Sequence, residues 1–208
     1  MSNDFSPVQT TSNISKSNRM LTITFGSTPT SGNLLVIGYA RSHHTPFTTP
    51  VGWTAVDTIT YSSNSSAGLI YRVSNGTETS ITLGSSGTGN NQGLFAEYPA
   101  TGVTSVTDSS NNTGTDGTAE CLSITDDQIK VGIAFTDGTE SASSVDQSHI
   151  IDVQNSSLVF CSMFSGDKDD GVTPTVTLSA SNDWGTIYGS FDADPPPIQI
   201  LRLREMGY

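Results

Sequence analysis

Charge is what this sequence has least of. Only 13% of its 208 residues are Asp, Glu, Lys or Arg, and a chain kept unfolded by polarity would carry far more. Cations are rarer still. Eight Lys and Arg stand against twenty Asp and Glu, for a formal net charge of −12. Phosphate contacts need clustered Lys and Arg, so no nucleic-acid partner is expected. The two cysteines, Cys121 and Cys161, are too few for a disulfide scaffold. Each lies in an apolar strand-like pattern, where cysteine serves as a small buried hydrophobe, and free thiols are the preferred reading over a disulfide. No apolar run approaches the length of a membrane span. Met1-Ser-Asn-Asp-Phe-Ser-Pro7 has neither the basic nor the apolar region of a signal peptide, which implies synthesis in a cytoplasm. Asn75-Gly76-Thr77 and similar triplets then read as chance in a Ser/Thr-rich chain. No segment repeats at the 3.6-residue period of a helix.

What the chain does have is Val, Ile, Thr, Tyr and Phe in short alternating stretches, closed by Gly, Asn, Ser and Pro. These stretches recur about every 8–12 residues, the spacing of an antiparallel sandwich. Leu34-Leu-Val-Ile-Gly-Tyr-Ala40 is the strongest apolar run and reads as a central strand covered on both faces. Further strands are expected at 20–25, 53–61, 68–73, 78–83, 93–98, 119–125, 129–136, 149–153, 157–164, 172–178 and 186–191. Asn75-Gly76 is a hairpin turn by composition, and Asp126-Asp127 reads as a second one. The segments 84–92 and 99–118 read as Gly/Asn-rich loops, the longer one functional or mobile. The expected architecture is therefore an all-β, antiparallel two-sheet β-sandwich over residues 20–192. A jelly roll is its most economical form. Residues 1–19 read as an N-terminal arm. Residues 193–208 read as a stiff Pro195-Pro-Pro197 spacer followed by an apolar arm, Ile198-Gln-Ile-Leu-Arg-Leu-Arg-Glu205. That arm either returns to its own sandwich or adds to a neighbour's sheet.

Chemistry is harder to find. Asp167, Asp169 and Asp170 cluster in a Gly-flanked turn, but the spacing is not that of an EF-hand loop, and an acidic turn is expected. His43-His44 is the one histidine pair. On an extended chain adjacent side chains diverge, so a loop-tip role is expected rather than metal binding. His149 has no identifiable partner. No Gly-x-Ser-x-Gly elbow stands in a strand–turn–helix context. Glu78, Glu97, Glu120 and Glu140 cannot be paired by sequence into the two carboxylates of a glycosidase. Glu97, set among Phe95, Ala96 and Tyr98, either faces solvent or is buried with a partner. Trp53, Trp184, Tyr61, Tyr71 and Tyr188 are candidates for sugar stacking, with core packing the more ordinary role. No catalytic, cofactor or metal residue is assigned.

Gly32-Asn-Leu-Leu-Val-Ile-Gly38, Thr49-Pro-Val-Gly-Trp-Thr54, Gly68-Leu-Ile-Tyr-Arg-Val73, Glu78-Thr-Ser-Ile-Thr-Leu83 and Gly93-Leu-Phe-Ala-Glu-Tyr98 together resemble the jelly-roll domains of tailed-phage virion proteins. The resemblance is to capsid decoration (cement) proteins and tail-fibre modules, and it spans residues 20–192. Its motifs are strands and turns, so it carries over no site residue. It implies a non-enzymatic structural subunit, typically a homotrimer, seated on the major capsid protein at the surface of the virion. In that case residues 1–19 and 195–208 would dock, and the 99–118 loop would face outward. The alternatives are a fibre-tip module recognising a host glycan and a free carbohydrate-binding domain.

Overall fold

The computed structural model describes residues 6–99, 105–122, 129–136, 138, 141–145, 150–155, 160–166 and 174–192. Within them the chain forms β1 (Gln9–Thr24), β2 (Leu34–Arg41), β3 (Thr54–Ser62), β4 (Ser65–Val73), β5 (Ser80–Tyr98), β6 (Val106–Gly114), β7 (Thr118–Glu120), β8 (Ile129–Thr136), β9 (Ala142–Val145), β10 (Ile150–Asn155), β11 (Phe160–Gly166), β12 (Thr175–Leu178) and β13 (Trp184–Phe191). No described residue is helical.

Two five-stranded antiparallel sheets face each other, ordered β1-β5-β2-β4-β3 and β10-β11-β8-β13-β6. The core between them takes alternate residues from both. Leu34, Val36 and Ala40 of β2 and Leu94 and Ala96 of β5 meet Val131, Ile133 and Phe135 of β8 and Ile187 and Phe191 of β13. This is the sandwich the sequence implies. The order does not support a jelly roll: its strands would pass back and forth between sheets, whereas here β1–β5 complete one sheet before the chain builds the other.

Each sheet is covered again on its outer side, which is why β2, β8 and β13 are buried along their whole length. A small sheet, β7-β12-β9, lies over the second large sheet. It encloses Ala119, Cys121, Val176 and Leu178 against Ala134, Phe164, Trp184 and Tyr188. The first sheet is covered by its own longest strands. β1 and β5 pair from Gln9↔Glu97 to Thr24↔Ser80, with register shifts between Ser15, Asn18 and Met20. There the ribbon bends and folds back. Leu21, Ile23 and Phe25 pack with Leu35, Ile37, Tyr39 and Phe95 of the sheet below, and Phe25 stacks on Phe95 at 4.1 Å between ring centres. Gly93 marks the fold-back, because a Cβ there would lie 2.5 Å from Ile23 Cδ1.

Five expectations give way. Residues 9–19 are not an arm but the first part of β1. Their Ser/Thr/Asn sequence lacks alternation because the strand lies at a sheet edge, where pairing to β5 holds it without a buried face. Residues 84–92 are not a loop, since β5 runs through them; their small side chains allow the bend. Nearly half of the 99–118 loop, Val106–Gly114, is strand β6, which among the described residues pairs with β13 alone. Asn75-Gly76 turns the chain, with Gly76 at φ +79°, but closes no hairpin, because β2 lies between β4 and β5. Likewise β7 and β8 belong to different sheets, so no hairpin joins them; Asp126 and Asp127 themselves lie outside the described residues.

Candidate functional site: the β1 edge and a cationic corner

β1 has β5 on one side and, among the described residues, no strand on the other. Halfway along, the chain swings out through Lys16, Ser17, Asn18 and Arg19, all exposed, with Ser17 in the left-handed region at φ 47°. The excursion is anchored. Ser17 N–H donates to Asn90 Oδ1 at 3.3 Å, and the buried Asn91 amide donates to the carbonyls of Ser15 and Asn18 at 3.4 and 2.9 Å. Lys16 and Arg19 make no ion pair among the described residues. Exposed apolar side chains flank them, Ile14 at 43% and Met20 at 53% of full exposure. A strand edge with unpaired backbone groups and apolar side chains is a ready surface for another chain.

The same corner continues into the segment after β2. Ser42 and Asn90 exchange hydrogen bonds, Ser42 N–H to the Asn90 carbonyl at 2.9 Å and Asn90 N–H to Ser42 Oγ at 3.0 Å. Arg41 is fully buried. Its guanidinium donates to the carbonyls of Thr45 and Gly87 at 2.8 and 2.7 Å and lies 4.5 Å over the Phe47 ring. No described carboxylate pairs with it. His43 Nδ1 accepts the Thr45 N–H at 3.0 Å, which places the proton of the neutral ring on Nε2. Burial, then the Arg41 charge and His44, holds the His43 pKa below its ordinary value. The His43 and His44 rings stack at 4.5 Å. They do not diverge as on an extended chain, because the backbone bends at 42–45. The adjacent guanidinium opposes a bound cation here by Coulomb repulsion.

The remaining sequence candidates separate. Tyr61, Tyr71, Trp184 and Tyr188 are core residues. Trp53 stays half-buried at the rim of the outer cluster, below the Arg72 guanidinium at 5.8 Å, which in turn pairs with Glu78 at 3.1 Å. Glu97 is buried with partners rather than solvent-facing. It accepts from Gln9 Nε2 at 2.6 Å, Thr30 N–H at 2.8 Å and Asn33 Nδ2 at 2.6 Å, tying the start of β1 to the turn before β2. Cys121 and Cys161 are free and buried, and burial pushes the Cys161 thiol far above its usual range. Among the described residues no three His, Cys, Asp or Glu side chains are grouped to hold a metal ion. Asp167, Asp169, Asp170, Glu140, His149 and residues 193–208 lie outside the described residues.

One pair was not foreseen. Tyr98 Oη of the first sheet donates to Asp152 Oδ2 of the second at 2.5 Å, and Ser165 interacts with both. Burial raises the Asp152 pKa from 3.8 to about 6. Burial, then the Asp152 charge, keeps the Tyr98 phenol protonated. A buried tyrosine needs a hydrogen-bond partner, which Tyr98 at the end of an apolar strand signals. Nothing in the sequence identifies the partner 54 residues away.

Comparison with known proteins gives no match: no protein-family model, curated protein or solved structure is significantly similar to this chain.

Proposed function

We propose that this chain is a non-enzymatic structural subunit of a virion, a decoration or cement protein that binds the outer shell of a tailed-phage head and stabilises it. In this reading it sits as a homotrimer on the major capsid protein. The observation that supports it is the arrangement of edges. Among the described residues the two sheets, each covered on its outer side, end in the edge strands β1, β3, β10 and β6, so a double-covered slab offers strand edges at its rims. A subunit that reinforces a shell works by adding buried area and strand contacts between neighbours, and many weak copies act together.

The half-exposed Trp53, beside the exposed Val51, favours a second reading, a tail-fibre or receptor-binding module that stacks a host sugar. The test is the copy number of the protein in purified particles by quantitative mass spectrometry. A number comparable to the major shell protein is expected. A few copies per particle would favour the fibre reading. Complete absence from particles would overturn both, and leave a free carbohydrate-binding domain, checked by glycan binding of wild type against Trp53→Ala.

A further inference from the structure

Charge is distributed unevenly over the described residues. Lys16 and Arg19 stand exposed on the β1 excursion. The opposite rim is acidic. There β3 of the first sheet lies beside β6 of the second, joined by Asn111 Nδ2 donating to Asp57 Oδ2 at 2.5 Å. On the other side of β6, Asn112 Nδ2 donates to the Glu120 carbonyl at 3.1 Å, and the Glu120 side chain is exposed. Asp116, in the turn after β6, accepts the Trp184 indole N–H at 3.0 Å, and Asp183 precedes that tryptophan. Four carboxylates thus flank the edge of β6, which has no second strand partner among the described residues. No described Lys or Arg forms an ion pair with Asp57, Asp116, Glu120 or Asp183. Each rim also carries exposed apolar surface: Ile14 and Met20 beside the cations, and Leu122, at 50% exposure, beside Glu120.

β1 and β6 end the two sheets at opposite sides of the molecule. We infer that the β1 rim of one copy binds the β6 rim of another, head to tail. The rims match in sign, in apolar content and in having an open strand edge. Each copy owns one of each, so the contact is heterologous. It closes into a ring if the rotation allows, and otherwise propagates as a filament. The net charge of −12 does not forbid this, because the local fields at the joint are opposite and screening limits repulsion from the rest. This inference names the surfaces of self-association and holds whether or not the partner of the assembly is a phage shell, so the two readings fail separately.

The test is the mass of the full-length chain in solution, by light scattering and sedimentation over a range of concentrations, at about 20 mM and about 500 mM salt. The wild type is expected to self-associate at low salt and to weaken at least tenfold at high salt. Lys16→Glu with Arg19→Glu, and separately Glu120→Lys, are expected to be folded monomers, since all three side chains are exposed. Mixing the two variants should give dimers that grow no further, because one intact joint survives between them. A wild type that stays monomeric at every concentration overturns the inference. So does an oligomer indifferent to salt and to both variants. An oligomer broken by the β1 variant but untouched by Glu120→Lys also overturns it, because the joint would then be β1 against β1.

Discussion

The carboxyl group of Asp152 makes stability depend on pH in a direction opposite to the usual acidic residue. Its pKa rises from 3.8 to about 6 on folding, through burial. The folded state therefore binds a proton more tightly than the unfolded chain. The stabilisation is fully present below pH 4, is lost as pH rises from there to about 6, and changes little above. At about 1.4 kcal/mol for each pH unit, the span from 3.8 to about 6 is worth about 3 kcal/mol. For a domain of this size that is a melting-temperature difference of about 6–12 °C. Other carboxylates titrate in the same range. Glu78 runs the other way: burial pushes it up, but hydrogen bonds from Asn75 and Ser74 and the Arg72 charge together hold it low. The informative quantity is accordingly the difference between wild type and Asp152→Asn, measured by urea unfolding with far-UV circular dichroism at pH 4, 5, 6 and 7.5. Asparagine keeps an acceptor for the Tyr98 hydroxyl and cannot ionise. The variant is expected to gain about 3 kcal/mol on wild type between pH 4 and pH 7.5. Tyr98→Phe should do the reverse. It leaves the carboxylate without its donor, costing about 1.5–3 kcal/mol at pH 7.5 and less at pH 4. A wild-type-minus-variant difference that stays constant from pH 4 to pH 7.5 would refute the reasoning.

Other consequences of the packing are equally direct. A Cβ at Gly38 would lie 2.4 Å from Ile133 Cγ2 across the core, so Gly38→Ala should cost about 1–3 kcal/mol by overpacking. Ile133→Ala removes that Cγ2, so the double variant should be more stable than the sum of the two single losses predicts, and strict additivity in the double-mutant cycle would count against the contact. Removing the Glu97 carboxylate strands three donors, those of Gln9, Thr30 and Asn33. Glu97→Ala is expected to lower unfolding free energy by about 2–4 kcal/mol, and an unchanged denaturation midpoint would show that solvent takes over those bonds. Both thiols are buried and free, so neither should react with a thiol reagent in the native protein and both should react after unfolding. Stoichiometric labelling of the folded chain would contradict the burial of Cys121 and Cys161.

The strand content and the central position of β2 were legible in sequence because burial on two faces writes itself as an unbroken apolar run. Leu34–Ala40 reads as a doubly covered strand and is one. β8 and β13 read only as strands, because Lys130, Thr136, Thr186 and Ser190 interrupt their apolar pattern and hide their central place. The candidate site was much less legible. β6 and the first part of β1, residues 9–19, are polar edge segments held by backbone pairing on one side only, so neither periodicity nor hydrophobicity marks them, and they read as loop and arm; the second part of β1, with alternating Leu21 and Ile23, reads as a strand. Asn75-Gly76 shows the limit of local rules. The turn chemistry is right and the glycine takes the left-handed conformation, yet the strands it joins are not neighbours, because β2 supplies β4 with its long-range partner. Glu97 and Asp152 lie furthest from the reach of sequence. Whether a carboxylate faces water or is buried with a partner depends on groups 54 to 88 residues away. The sequence by itself determined that this chain packs as sheets, since strand propensity and alternation are local properties. Which strands became edges, where the ribbon folded back, and which charges gathered at which rim were decided only in three dimensions, where distant segments compete for the same backbone partners and the same buried space.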